Sequence, residues 1–175
     1  MSNDNKSKVL FLVQGAIIAA LYVAFTMIAA GFDLASGAIQ VRFSECLTVM
    51  PFFTTAGIPG VTIGCLLANI VIGSSPIDIV FGTLATLIGA VGTYLLRKNR
   101  YLCTIPPVLS NMIIIPFVLK YAYGAEGTLV FFALTVAAGE IITCIILGQI
   151  LISALLPLRG RLFSGGNDSV KKRKK

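Results

Sequence analysis

Histidine is absent from all 175 residues, and with it goes the side chain that most often serves as general base or metal ligand near neutral pH. Charge is scarce as well. Asp, Glu, Lys and Arg make up 12% of the chain, against about 25% in a typical soluble domain. The four cysteines, Cys46, Cys65, Cys103 and Cys144, stand alone in apolar surroundings without a C-x-x-C spacing. They read as small packing residues, and no zinc, haem or iron–sulfur centre is expected. Gly-x-Ser-x-Gly and His-Glu-x-x-His are missing. No phosphate-binding loop is present either, since Gly82, Gly89 and Gly92 fall within an apolar run. A Ser/Lys pair would have to use Lys120, which lies at the end of such a run. The chain is therefore not read as an enzyme, and no cofactor is called for.

What fills the chain is apolar: 57% of residues are hydrophobic and the mean hydropathy is +0.93. A chain this short has too little interior to hide that much apolar surface, so lipid must cover the remainder. The first apolar run, Val9 to Gly31, exceeds a signal-peptide core and is followed by others. It reads as a first span. A small-residue loop follows at Asp33–Ile39. A short second span runs from Val41 to Phe53, a turn covers Thr54–Gly60, and a third span runs from Val61 to Ile72. After a break at Gly73–Asp78, the fourth span covers Ile77–Leu96, and Arg97–Arg100 ends it. The fifth covers Leu102–Tyr121, interrupted by Pro106, Pro107 and Pro116. The loop Tyr123–Thr128 leads to the sixth and longest span, Leu129–Leu158. The expected fold is an all-α membrane protein with a six-helix transmembrane bundle over residues 9–158. Residues 1–8 and the basic tail 159–175 flank it.

Spans two and three fall short of the ~20 residues that cross a bilayer unaided. They form either one re-entrant hairpin or two tilted, partly buried helices. Either way the sidedness is the same. Lys6 and Lys8, then Arg97, Lys98 and Arg100, then the tail Lys171, Lys172, Arg173, Lys174 and Lys175 all fall on one side. The positive-inside rule makes that side cytoplasmic, with both termini there and the chain in the cell membrane. The net charge of +7 is concentrated in these segments, where it suits anionic lipid headgroups better than nucleic acid.

Polar groups inside a membrane are costly and mark places to look for function. They are Gln40, Arg42, Glu45, Asn69, Asp78, Asn111 and Glu140. Arg42 and Glu45 are three residues apart and would share a helix face. They read either as an internal ion pair or as one wall of a polar ligand pocket near the outer surface. Glu140 has no basic neighbour within a turn. It is either protonated or hydrogen-bonded to a neighbouring helix, or its carboxylate meets donors of a ligand. Asn69 and Asn111 read as interhelical glue or as ligand contacts. Asp78 follows Pro76 at a helix start and suits dipole stabilisation. On the first span Ala16, Ala20 and Ala24 form a small-residue stripe, widened by Gly15 and Ala19. It suits either packing within the bundle or docking of another membrane subunit.

The run Gly37-Ala38-Ile39-Gln40-Val41-Arg42-Phe43-Ser44-Glu45-Cys46-Leu47-Thr48 resembles the QueT-type queuosine-precursor transporter family. So do Ile58-Pro59-Gly60, the stretch from Gly64 to Asn69, the stretch from Asp78 to Thr86, Pro106 to Asn111, and the pair Gly139-Glu140. That family looks like the substrate-binding subunits of energy-coupling factor transporters. The resemblance implies capture of a vitamin-like solute from outside and no ATP hydrolysis in this chain. It also implies partners: a transmembrane coupling protein and two cytoplasmic ATPases. An Ala-x-x-x-Ala stripe on the first helix docks the coupling protein in such subunits, and here it is Ala16 to Ala20. The implied solute is a deazaguanine base. A carboxylate, Glu140 or else Glu45, would take its donor edge, with Asn111, Asn69 and Gln40 nearby. An aminomethyl form would be a cation and would use a second carboxylate such as Asp78. The residue reading leaves two competitors: a stand-alone secondary transporter in which Glu140 or Glu45 carries a proton, and a structural subunit without ligand.

Overall fold

The computed structural model describes residues 3–32 and 42–163. The loop Asp33–Ile39, the candidate residue Gln40 and the basic tail Lys171–Lys175 lie outside the described residues. Helix α1 (Asn3–Gly31) is 29 residues long, or about 43 Å at 1.5 Å per residue. It begins in the polar residues before Val9, because a helix does not have to stop where its hydrophobicity does. A 3₁₀ helix (Phe43–Phe52) comes next, then α2 (Gly57–Val71), α3 (Pro76–Leu95), a 3₁₀ turn (Leu102–Thr104) and α4 (Ile105–Tyr121). The final run is continuous: α5 (Leu129–Glu140), a π-helical stretch (Ile141–Leu147), α6 (Gly148–Leu155), a 3₁₀ turn (Leu156–Leu158) and α7 (Arg159–Leu162).

Four helices have the length and apolarity to cross a membrane: Asn5–Gly31, Pro76–Leu95, Leu102–Tyr121 and Leu129–Leu162. The six expected spans fall on six helical segments among the described residues; four have the length to cross a membrane, and the second and third are shorter. At about 2.0 Å per residue the ten-residue 3₁₀ helix spans ~20 Å, less than a hydrocarbon core of ~30 Å. It needs no lipid contact. Ser44 through Phe52 are all buried, enclosed by α1, α2, α3, α6 and the π-helical stretch. Together with α2 it makes a hairpin whose first arm is the centre of the bundle. The second arm turns Ile63, Leu66, Leu67 and Ile70 outward. The third helix starts at Gly57 rather than Val61, because Pro59 lies in the first helical turn, where a missing N–H costs nothing.

The 3₁₀ pass returns the chain to the end where α1 starts, so α2 runs parallel to α1 and packs closely on it. A Cβ at Gly60 would sit 3.0 Å from the Gly15 carbonyl oxygen. One at Gly64 would sit 2.7 Å from Tyr22 Cβ and 3.1 Å from Ala19 Cα. Gly64→Ala is expected to force the two helices apart and to destabilise the protein by about 1–3 kcal/mol. Thermal unfolding in detergent will show it, and an unchanged midpoint would refute the close approach. At the far end of α2 the chain turns through Gly73 at φ +72°, with Ser74 N donating to Asn69 O at 2.9 Å. This left-handed exit is the usual glycine termination of a helix.

The outer surface exposes Leu12, Ile17, Val80, Ile113, Leu134 and Ile150, among many other large apolar side chains. Water-soluble monomers rarely present so extensive an apolar surface. With four spanning helices, it makes this chain a multi-pass membrane protein. Hydrogen bonds fix which residues share an end. Gln14 donates from Nε2 to Leu162 O at 2.8 Å, and Thr54 donates to Gln14 Oε1 at 2.8 Å. Gln149 bonds the Arg100 carbonyl. That end also carries Arg97 and Lys98 and the stacking of Arg159 over Phe52 at 5.6 Å. The opposite end holds the last turn of α1, the start of the 3₁₀ pass, the end of α2 and the start of α3.

Candidate functional site

At that opposite end a cavity of about 400 Å³ opens between α1, α2, α3 and α4. Its walls include Tyr22, Thr26, Arg42, Asn69, Asp78 and Tyr123. Three of these were expected from sequence: Arg42, Asn69 and Asp78. Tyr22 and Thr26 stand one turn apart on α1, while Thr26 donates to Ser44 Oγ at 2.9 Å. That bond ties the cavity wall to the central pass.

Arg42 pairs with Asp78, not with Glu45. Its guanidinium lies 3.6 Å from Asp78 Oδ2. The three-residue spacing fails to stack Arg42 on Glu45 because Arg42 caps the 3₁₀ helix with extended backbone, φ −91° and ψ 95°, and so lies outside its face. Asp78 sits in the first turn of α3, as a carboxylate near a helix start should. Its Oδ2 also accepts the Tyr123 hydroxyl at 2.9 Å, and Tyr123 in turn accepts from Ser75 N at 3.2 Å. Among the described residues, Asp78 Oδ1 and Glu45 Oε2 are buried without a hydrogen-bond partner.

A second polar cluster lies beneath the cavity. Tyr22, a cavity wall, donates its hydroxyl to Glu45 Oε1. Asn111 donates from Nδ2 to Glu140 Oε1 at 2.8 Å, so these two expected residues meet each other across α4 and α5. Cys144 donates to Glu140 Oε2 at 3.0 Å, one turn further on. The π-helical stretch begins just after Glu140, and such widened turns commonly mark functional sites. Ligand-type atoms of Glu45, Glu140 and Cys144 all lie within 4.8 Å of one another. Glu140 is walled from the large cavity but shares a void of about 10 Å³ with Arg42. Arg42 therefore touches both spaces and stands between the two acidic groups.

Sequence reasoning missed Tyr22, Tyr123 and the hydrogen-bonding role of Cys144. The i, i+4 relation of Cys144 to Glu140 was the available signal. The stripe on α1 divides into two. Gly15 and Ala19 face α2, and Ala19 is buried there. Ala16, Ala20 and Ala24 are exposed on another face.

The cavity thus combines a largely apolar wall with a few polar groups, Arg42, Asn69 and Asp78 among them, at one end of an apolar helical bundle, an arrangement that suits the binding of a small solute. The profile of the QueT transporter family matches residues 12–157, and the chain belongs to that family. It is similar to the queuosine precursor transporter QueT of Lactococcus lactis subsp. cremoris (strain MG1363), with 41% identity over 83 residues. That stretch covers 47% of this chain and 48% of the relative, so the chain matches about half the length of that protein. No solved structure matches the chain.

Proposed function

We propose that this chain is the substrate-capturing membrane subunit of an ATP-driven energy-coupling factor importer. Its ligand is a queuosine precursor, a deazaguanine base taken from outside the cell. The observation that carries this reading is the 400 Å³ cavity walled by Arg42, Asn69 and Asp78 at the end opposite the basic residues. Lys6, Lys8, Arg97, Lys98, Arg100, Arg159 and Arg161 belong to the other end, which the positive-inside rule makes cytoplasmic. On that sidedness both termini are cytoplasmic, and the cavity opens outward in the cell membrane. A bicyclic base fits a pocket at the small end of the ~300–1,000 Å³ range. Tyr22 contributes an aromatic side chain to the wall, and Asn69 contributes amide donors and an acceptor.

In this reading the chain, which has no phosphate-binding loop, draws its import energy from partners, a transmembrane coupling protein and two cytoplasmic ATPases. The exposed Ala16, Ala20 and Ala24 supply a face where another helix can approach closely. The test is purification of the full chain followed by titration with a deazaguanine base. Saturable binding is expected, with co-purification of the coupling protein and ATPases when they are co-expressed. A chain that binds no deazaguanine defeats the substrate reading.

The nearness of Glu45, Glu140 and Cys144 favours a second reading, a stand-alone proton-coupled transporter. It requires uptake that needs no ATPase and collapses with the proton gradient. In the favoured reading Glu140 supports the ligand from beneath Arg42, and Glu140→Gln weakens deazaguanine binding. Unchanged affinity in that variant removes Glu140 from the site.

A further inference from the structure

We infer that a lipid-facing groove between α1 and α6 holds one acyl chain of an anionic phospholipid, whose phosphate is taken by Arg159 and Arg161. This lipid site is separate from the polar cavity, and its occupancy does not depend on the substrate proposed for that cavity.

α1 and α6 each pack on the central 3₁₀ pass, and the gap left between them has a volume of about 480 Å³. Its walls include Phe25 and Ile28 of α1, Phe43 of the 3₁₀ pass, and Leu147, Leu151 and Ala154 of the final run. The last three recur in steps of four and three, which is one helix face. Water finds no polar partner in such a groove, and an unfilled gap costs its walls their dispersion contacts. The occupant is a flexible chain rather than a helix. Close helix approach needs small residues, whereas most of these walls are large. The exposed alanines of α1 are not among them.

Length and charge identify the lipid. From Arg161 back to Leu147 is fourteen residues, about 21 Å at 1.5 Å per residue. One leaflet with its headgroup region is ~20–22 Å deep. A phospholipid with its phosphate at Arg161 therefore ends its chain beside Leu147. Arg161 stands seven residues, two helical turns, beyond Ala154 and so returns to the groove side, and Arg159 belongs to the same short helix. Arg159 stacks over Phe52 at 5.6 Å, which uses the face of the guanidinium and leaves its N–H edges for a phosphate. Among the described residues the ion pair is Arg42 with Asp78, and residues 149–163 include no Asp or Glu. Two guanidinium groups without a carboxylate at headgroup level favour an anionic lipid over a zwitterionic one.

The rest of the bundle holds this basic turn in place. Phe163 stacks on Phe53 at 5.1 Å, and the Leu162 carbonyl accepts from Gln14 Nε2 at 2.8 Å. These contacts fix α7 against α1 and the end of the 3₁₀ pass, and keep both arginines beside the Ala154 end of the groove. A lipid seated there bridges α1, the 3₁₀ pass and α6 across a gap that side chains leave open.

The test is native mass spectrometry of the purified full chain in detergent, titrated with phosphatidylglycerol and with phosphatidylcholine of the same acyl chains. Phosphatidylglycerol is expected to bind about 20-fold tighter, the scale set by two basic side chains near a headgroup. Arg159→Gln with Arg161→Gln is expected to bring the two lipids within about threefold of each other. Arg159→Lys with Arg161→Lys, which keeps the charge, is expected to retain a preference of about fivefold or more. Ala154→Trp, at an exposed position, fills the groove and is expected to lower retention of both lipids about tenfold while circular dichroism shows a folded chain. Equal binding of the two lipids by the unmodified chain overturns the inference, as does a preference that survives the double Gln variant. Full lipid retention by folded Ala154→Trp overturns it too. A dimer that Ala154→Trp disrupts, with no lipid retained, gives the groove to a second copy and also overturns it. None of these outcomes alters the substrate reading, which deazaguanine titration decides separately.

Discussion

Arg42→Met is expected to destabilise the protein in detergent by about 3 kcal/mol and to abolish ligand capture. The reason is the surroundings of this one guanidinium. It lies 3.6 Å from Asp78 Oδ2 and shares a void with Glu140. Glu45 follows it by one 3₁₀ turn, its amide donating to the Arg42 carbonyl at 2.9 Å. Removing the cation leaves three buried acidic groups without it, and breaking a buried pair costs about 3–5 kcal/mol because the surviving charge is stranded. Arg42 keeps 21% of its side-chain surface exposed, which places the expected value at the low end. Adding Asp78→Asn to Arg42→Met is expected to restore part of the loss, since one stranded charge is then removed. Arg42→Lys is expected to keep most of the stability but to weaken binding, because an ammonium on a flexible stem cannot face two acidic groups as a planar fork does. Thermal melts of the four proteins measure the first effect and ligand titration the second. A single variant as stable as the parent would show that the acidic groups do not depend on Arg42.

Much of this fold is legible from length and apolarity. The first, fourth, fifth and sixth passes are apolar runs long enough to span, and the structure forms all four. The second pass is where sequence reasoning thins out. Its apolar residues suggest a short span, but nothing local says that it will be buried on every side. Once it is buried, Ser44, Glu45 and Thr48 are tolerated because protein, not lipid, surrounds them. Thr48 closes on its own turn, donating to the Glu45 carbonyl at 2.6 Å. The site divides in the same way. Arg42, Asn69 and Asp78 announce themselves as polar groups in apolar runs. Their partners do not: Tyr22 and Tyr123 are unremarkable in sequence, and Tyr22 meets Glu45 across 23 positions. Tyr123 meets Asp78 across 45. Such pairings are decided by how helices pack, which composition and spacing do not encode.

If the exposed alanine face of α1 docks the proposed coupling protein, Ala20→Leu leaves folding and ligand binding intact and lowers recovery of that partner about 10–100-fold, with uptake falling in step. The argument turns on the two faces of α1. On one face Gly15 and Ala19 meet α2, and a Cβ at Gly64 would already come within 3.1 Å of the Ala19 backbone. Small residues there are consumed by the bundle itself. On the other face Ala16, Ala20 and Ala24 are exposed between large side chains such as Ile17 and Leu21. If lipid were their only neighbour, larger apolar residues would serve as well, because lipid gives no reason to keep a helix face small. A stripe of three alanines is useful where another helix backbone comes close, and a leucine in its middle holds that backbone away. Ala19→Leu is the contrasting variant, because its side chain would enter the α1–α2 contact and lower thermal stability. Retained partner recovery in both Ala16→Leu and Ala20→Leu would remove the docking role from this face. Uptake that persists in those variants without any ATPase would move the balance to the proton-coupled reading.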